Sequence, residues 1–371
     1  GSYKRMTHWS TEDSAFMQRA IEVAELGAGY VAPNPKVGCV ITDESGRIIG
    51  EGWHEKFGDS HAEVNAHRSI APSDLHHLPS STWYVTLEPC NHQGKTPACA
   101  TLIESIQPKR VLIGTVDCNP RVVGGGIERL RQAGIRVETG CLESEVRWQN
   151  RRFFCNVEQD RTYAVLKWAQ SRDGFMDPRN TAERSQGSGS VAITGEASRA
   201  ITHAWRAAEM GIAIGVETAL VDEPQLNVRH GRGRSPKAMV IDPNGRLPIG
   251  HPLMRRQGAD SIIHIVKDPS LSRASESCQW NPESGLKMLL GKLWKEHGIS
   301  SILVEGGART LQQFFHENIW DELKVWTAAN EAKSGLKAPE WPENAIPPVH
   351  ETAVGRAGSD RWNWAINPNN G

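Results

Sequence analysis

Short β-branched and apolar runs alternate with amphipathic stretches along almost the whole chain, and that alternation limits the fold to the α/β class. Ser10 with Asp13 makes a capping-box-like start, and Phe16, Met17, Ala20, Ile21 and Ala24 then recur at helical spacing up to Gly27. Residues 37–41 and 47–53 read as strands around a turn at Glu44-Ser45-Gly46, and a short helix opens near His61. A strand over 82–87 stops at Pro89, a helix covers 99–106, a strand 110–116, a helix 127–133 and a strand 135–139. The order α-β-β-α-β-α-β-α-β predicts a three-layer α/β/α sandwich.

A charged helix from Glu143 to about Asp160 leads out of this unit. A second alternating set follows: a strand over 162–169, a Gly/Ser-rich loop over 186–190, a helix through Arg206 and strands over 211–216, 238–241 and 261–266. A helix over 286–297 and a strand over 301–304 then lead to Gly306-Gly307. Two domains are expected, 1–147 and 162–371, joined by a connecting helix over 148–161, as a length of 371 residues also suggests. The tail from Glu331, rich in Pro, Asn and Gly, is expected to wrap irregularly over the second domain.

Composition narrows the function. The 42 basic and 43 acidic side chains leave a net charge of −1, so no global field draws the chain onto phosphate backbones, and a small-molecule substrate is expected rather than nucleic acid. No run approaches the ~20 apolar residues of a membrane span. The first residues, Gly1-Ser2, read as a cloning scar with no signal-peptide core behind them, which places the protein in the cytoplasm. Seven cysteines in so long a chain point to metal binding or burial rather than a disulfide framework. Thirteen Trp against seven Phe suggest core or interface packing.

The sharpest local signal is His61-Ala62-Glu63 with Pro89-Cys90 and, nine residues on, Cys99. A zinc ion that does chemistry takes three protein ligands and keeps one position open, and one imidazole with two thiolates meets that count. H-x-E with P-C-x-x-C marks the zinc nucleobase deaminases, in which the glutamate is a general acid/base and not a ligand; here the loop between the cysteines is longer. His61 and Cys99 are each expected in the first turn of a helix, where the dipole favours thiolate. The competing reading is a structural zinc site closed by His92, His54 or another cysteine; such a site has no use for Glu63. Cys39, Cys118, Cys141, Cys155 and Cys278 lack ligand spacing and read as packing residues.

These motifs, together with Pro33-Asn34-Pro35-Lys36-Val37-Gly38 and Gly94-Lys95-Thr96-Pro97, resemble the bifunctional riboflavin-biosynthesis deaminase-reductases. The resemblance implies a cytidine-deaminase-like domain that hydrolyses an amino group from a diaminopyrimidinone ribosylamine phosphate. A dihydrofolate-reductase-like domain then reduces the ribosyl group to ribityl with NADPH. It also implies His61, Cys90 and Cys99 as zinc ligands, Glu63 as proton shuttle, Asn34 on the pyrimidine and Lys95 on the substrate phosphate.

In the second half, residues 302–311 read as an apolar strand, two glycines and a helix start, an arrangement that points backbone N–H groups at a phosphate. No G-x-G-x-x-G follows a strand, so a Rossmann site is not supported. Lys167-Trp168-Ala169, Gly215-Val216-Glu217-Thr218 and the stretch from Asp222 to Arg229 resemble the reductase half in order and spacing. The resemblance implies Ala169, Thr218, Asp222 and the turn Gly306, Gly307, Ala308, Arg309 and Thr310 against NADPH. It implies Ser190, Arg206, Leu226, Arg229 and Glu305 against the substrate, Lys167 as an aid to proton transfer, and a homo-oligomer. Ala192 stands where the family usually has Trp. Two other readings remain beside this one: a zinc nucleobase or nucleic-acid deaminase with a degenerate accessory domain, and a zinc-stabilised binding module.

Overall fold

The computed structural model describes residues 9–92, 97–117, 125–185, 191–222, 224, 226 and 235–370. The chain divides into two compact units, Gly1–Glu158 and Gln159–Gly371.

The first unit runs α1 (Thr11–Glu25), β1 (Gly38–Thr42), β2 (Ile48–Trp53), α2 (Ala62–Arg68), β3 (Thr82–Leu87) and α3 (Cys99–Ile106). It continues with β4 (Arg110–Thr115), α4 (Gly125–Gln132), β5 (Arg136–Thr139), α5 (Glu143–Gln149) and α6 (Arg151–Gln159). Its strands are ordered β2-β1-β3-β4-β5, with β1 antiparallel to both β2 and β3 and the rest parallel. Side chains alternate across the sheet as period two demands. Cys39, Ile41, Trp83, Val85, Val111 and Ile113 pack with α2, α3 and α4 on one face. Val40, Tyr84 and Leu112 pack with Met17 and Ala20 of α1 on the other, giving the three expected layers. The Ser10 hydroxyl caps α1 by accepting from Asp13 N–H at 3.0 Å.

One helix expected over 143–160 is two, broken at Asn150. The Asn150 amide is drawn to a distant strip of backbone, accepting from Lys36 N–H at 2.8 Å and donating to Lys36 C=O at 2.9 Å. That tertiary bond competes with helix continuation.

The second unit runs β6 (Tyr163–Gln170), β7 (Phe175–Asp177), α7 (Thr181–Ser185), α8 (Glu196–Ala207), β8 (Gly211–Gly215), α9 (Val216–Asp222), β9 (Lys237–Ile241) and β10 (Ile263–Val266). It ends with β11 (Glu276–Gln279), α10 (Leu286–His297), β12 (Ser301–Val304), α11 (Ala308–His316), β13 (Glu322–Thr327), β14 (Leu336–Lys337), β15 (Val354–Ala357) and β16 (Asp360–Ile366). The main sheet is ordered β11-β10-β9-β8-β12-β6-β13-β16-β15, parallel from β11 to β13 and antiparallel in the last two pairings. Both units are therefore α/β.

The irregular wrap expected of the tail is corrected here: residues 354–366 form a hairpin that extends the main sheet, with Trp362 opposite Trp326. The tryptophans find their place in the same region. Trp168, Trp320 and Trp326 are fully buried. Trp205 of α8 stacks on Trp326 at 5.3 Å, and Lys324 Nζ lies 4.5 Å from the Trp364 ring centroid. Among the described residues no helix is long and apolar enough to cross a membrane.

Candidate active sites

Helix α2 rests directly on β2. A Cβ on Gly52 would lie 2.2 Å from Ala66 N, so only glycine allows this approach, and it sets the height at which the start of α2 meets the pocket above. His61 is the N-cap of α2 with extended backbone, and Cys99 is the first residue of α3. Cys90 follows the end of β3, in a segment fastened by Glu88. That buried carboxylate accepts from Asp117 N–H at 3.2 Å and from Gly126 N–H at 3.1 Å. No role was assigned to Glu88 from sequence; its place immediately before Pro89-Cys90 was the available signal.

These three segments bring His61, Cys90 and Cys99 together. His61 Nδ1 is 3.3 Å from Cys99 Sγ and 3.5 Å from Cys90 Sγ, and the ligand-type atoms all lie within 4.8 Å of one another. The first N–H of α3 donates to Cys90 Sγ at 3.2 Å. The helix start therefore stabilises the thiolate of Cys90 rather than that of Cys99, a change from the expected arrangement. The hydrogen bond from Cys99 holds the Cys90 thiol below the usual range, against the effect of burial, and the same bond with burial pushes Cys99 up. One imidazole nitrogen, one thiolate and a second sulfur that gives up its proton to a cation form a donor set of the kind zinc takes.

Glu63 lies in the first turn of α2, 3% exposed. Burial raises its carboxyl above the usual range, and the neighbouring Cys90 charge adds to the rise. A pocket of about 590 Å³ opens over the cluster, lined by His61 and Cys90 and also by Asn34, His54 and Arg68. His54 can close a fourth ligand position only by giving up the hydrogen bond at the nitrogen that binds. Its Nδ1 is 3.2 Å from Ser60 C=O, which fixes the proton there, and its Nε2 accepts from Asn34 Nδ2 at 3.2 Å. Burial keeps its pKa low, consistent with the neutral ring this geometry needs. Asn34 Oδ1 is left as an acceptor toward the pocket. Lys95 lies outside the described residues. The remaining described cysteines, Cys39, Cys141, Cys155 and Cys278, are buried.

In the second unit, β8, β12 and β6 are adjacent and parallel, and the candidate residues gather at their carboxyl ends, where open α/β sheets bind ligands. Lys167 and Ala169 lie near the end of β6, Glu305 follows β12, and Thr218 lies in α9 after β8. Arg206 donates from Nε and Nη2 to the two oxygens of Glu305, both at 2.6 Å. Burial lowers the pKa of Lys167, opposed by the Glu305 charge, so this ammonium gives up a proton more readily than an ordinary lysine. Gly307 has φ +69°, and a Cβ on Gly306 would meet Thr218 Cγ2 at 2.8 Å. The turn therefore needs glycine, and it leads into α11 with Thr310 Oγ1 beneath it. Backbone N–H groups at such a helix start fit a cofactor phosphate.

The other implied residues have further contacts of their own. Asp222 is held by Arg179 at 3.1 Å. Arg309 and Ala308 line a shallow groove of about 550 Å³ with Gln313 and Lys337. Leu226 is 2% exposed, packed among Ile212, Ile214, Ala238 and Val240, so its side chain is core and not pocket wall. Ser190 and Arg229 lie outside the described residues. Asp242, His264 and Ser272 form a hydrogen-bonded line of 2.8 and 2.7 Å. Asp242 and His264 are fully buried, and Asp242 also accepts from Arg246 and Leu247 N–H, so the line fastens loops around β9 and β10.

Comparison with known proteins places both halves. Residues 10–115 match the family described as the cytidine and deoxycytidylate deaminase zinc-binding region, and residues 162–329 match the RibD C-terminal domain. The riboflavin biosynthesis protein RibD of Aquifex aeolicus is 36% identical over 335 residues, covering 87% of this chain and 89% of that protein. The Escherichia coli protein of the same name is 33% identical over 334 residues, covering 85% and 88%. Among solved structures, Acinetobacter baumannii RibD superposes with a TM-score of 0.83 at 31% identity, covering 96% of this chain and 98% of that one. A diaminohydroxyphosphoribosylaminopyrimidine deaminase/5-amino-6-(5-phosphoribosylamino)uracil reductase from Thermotoga maritima also gives 0.83 at 31% identity, covering 96% and 99%.

Proposed function

The chain belongs to the RibD family of riboflavin-biosynthesis proteins, and from that premise we propose how its two halves divide the work. Residues 1–147 carry zinc-dependent hydrolytic deamination of 2,5-diamino-6-(5-phosphoribosylamino)pyrimidin-4-one. Residues 162–371 carry NADPH-dependent reduction of the ribosyl group, giving 5-amino-6-(5-phosphoribitylamino)uracil. The observation that carries the reading is the convergence of one imidazole and two cysteine sulfurs on a pocket with a buried glutamate beside them.

His61, Cys90 and Cys99 would hold zinc, which when bound supplies an activated water and stabilises developing negative charge. Glu63 takes one proton from the attacking water and delivers it to the ring nitrogen, then takes the second from the hydroxyl so formed and delivers it to the amino group, which departs as ammonia. Its raised pKa suits both directions of transfer. Asn34, its amide fixed by neutral His54, accepts from an N–H of the pyrimidine, and Lys95 takes part in holding the phosphate.

In the second half, the Gly306-Gly307 turn and the start of α11, with Ala169, Thr218 and Asp222, would hold NADPH, which when bound supplies a hydride. Hydride reaches the anomeric carbon as the ribose ring opens, and the ring oxygen then needs a proton. Lys167, whose burial makes it a ready donor, is placed to provide it. Glu305 and Arg206 position the ribosylamino group, with Ser190 and Arg229 completing that wall. The same reading carries a homo-oligomer in the cytoplasm, which sedimentation and fractionation would check.

The decisive experiment incubates the pure zinc-loaded protein with the diaminopyrimidinone phosphate and follows ammonia and NADPH separately. Ammonia is expected without NADPH, and NADPH oxidation only once ammonia has appeared. Ammonia alone would mean that the second half does not reduce the product; neither signal would overturn the assignment.

A further inference from the structure

The wall of the first unit's pocket includes a cation that neither the motifs nor the family resemblance assigns. Helix α2 presents His61, Asn65 and Arg68 to the same pocket, positions separated by four and then three residues and hence on one helix face. Asn65 Nδ2 donates to Trp53 C=O at 2.8 Å and Ser60 C=O at 3.2 Å, so the middle of this face ties down the loop opposite. Arg68 follows at the end of the helix, and its guanidinium reaches back to the loop that precedes α2, beside Ser60.

Among the described residues, the Arg68 guanidinium meets one hydrogen-bond partner, the Ser60 hydroxyl at 3.1 Å, and no carboxylate. Glu55 and Asp59 also line the pocket and repel an anion, and among its described lining residues Arg68 is the one arginine or lysine. Arginine's planar fork suits phosphate oxygens, and a guanidinium without a carboxylate partner keeps its donors available for them.

We propose that Arg68 binds the 5′-phosphate of the deaminase substrate. The inference rests on the deaminase reading of this pocket. It predicts selectivity: the enzyme distinguishes phosphorylated from dephosphorylated substrate through Arg68.

The test compares native protein, Arg68→Gln and Arg68→Lys for ammonia release from the diaminopyrimidinone phosphate and from its dephosphorylated riboside, with zinc content measured for each. Arg68→Gln should lower kcat/KM for the phosphorylated substrate about 10- to 100-fold, the range for a lost charge-assisted contact, and leave the riboside nearly unchanged. Arg68→Lys should retain much of the selectivity. Equal loss on both substrates would mean that Arg68 merely braces the loop through Ser60, and no loss on either would also overturn the proposal. Calorimetric titration with ribose 5-phosphate tests the contact without turnover: Arg68→Gln should lose one class of site. If native protein releases no ammonia yet that class is lost in the variant, the deaminase reading fails while the phosphate contact stands.

Discussion

In the first unit, an imidazole and one cysteine sulfur line an open pocket, with a second sulfur and a buried carboxylate beside them, and the nearby arginine has no carboxylate of its own. In the second, Arg206 is already matched to Glu305, Lys167 lies within the field of the same carboxylate, and Asp222 is held by Arg179. One site keeps its charges available, and the other balances them against each other. The difference follows from the chemistry each must do. A metal site is defined by side-chain identity and needs unmatched donors. A site for a large polyphosphate cofactor relies on strand ends, glycine turns and backbone N–H groups, and charges near it can be neutral as a set until substrate arrives.

The largest effect should come from Glu63→Gln, which removes the proton carrier but no ligand. Deamination is expected to fall about 10²- to 10⁴-fold, while zinc content and the reduction of separately supplied deaminated intermediate stay unchanged. Retained deamination would remove Glu63 from its assigned role, and a parallel loss of reduction would show that the two sites are not separable.

Next comes Glu305→Ala, aimed at the balanced charges of the second unit. It leaves Arg206 and Lys167 facing each other without their anion, and breaking such a buried pair typically costs about 3–5 kcal/mol. NADPH oxidation should be lost and the second unit should unfold at lower urea, with ammonia release preserved. An unchanged urea profile would mean that the set is solvated and the contrast between the sites is false. Smaller again is Gly307→Ala. Forcing a side chain into left-handed backbone costs about 1–2 kcal/mol, and if the turn cradles a cofactor phosphate the KM for NADPH should rise about tenfold.

The same contrast explains how much could be read from sequence. The strand and helix order of the first unit and the candidate metal cluster were legible, because β-branched runs, caps and H-x-E with paired cysteines each depend on nearby residues. What decides the rest lies far away in the chain. Asn150 breaks a helix through a bond to Lys36, and His54 and Arg68 gain meaning only once α2 and the loop before it close over one pocket. Leu226 was assigned to a substrate wall by resemblance, yet it is core. The tail is the instructive miss. Trp362, Trp364 and Ile366 alternate as a strand should, but the Pro-rich stretch before them hid the pattern, and their pairing partner β13 lies about forty residues back.

The smallest effect tests whether the first unit's stability in acid belongs to its metal site or to its frame. Asp13, in the first turn of α1, accepts from Arg110 Nη1 and Nη2 at 2.9 and 2.7 Å and from the Tyr84 hydroxyl at 2.9 Å. Burial alone would raise its carboxyl, but these bonds outweigh it and hold the pKa below the ordinary 3.8. With the folded value depressed, the unfolded chain binds more protons between the two values, so the contribution is complete above 3.8 and fades as pH falls through the folded pKa. The pair is partly solvated, so the amplitude should stay below about 1 kcal/mol. Acid also protonates the cysteine ligands and releases metal, which weakens the same unit. Comparing native protein with Asp13→Asn at equal zinc load cancels that second effect. The difference in unfolding free energy should shrink as pH drops below 3.8 and stay flat above it, with both activities unaffected at neutral pH. A difference that tracks zinc content instead would assign the acid sensitivity wholly to the thiolate site.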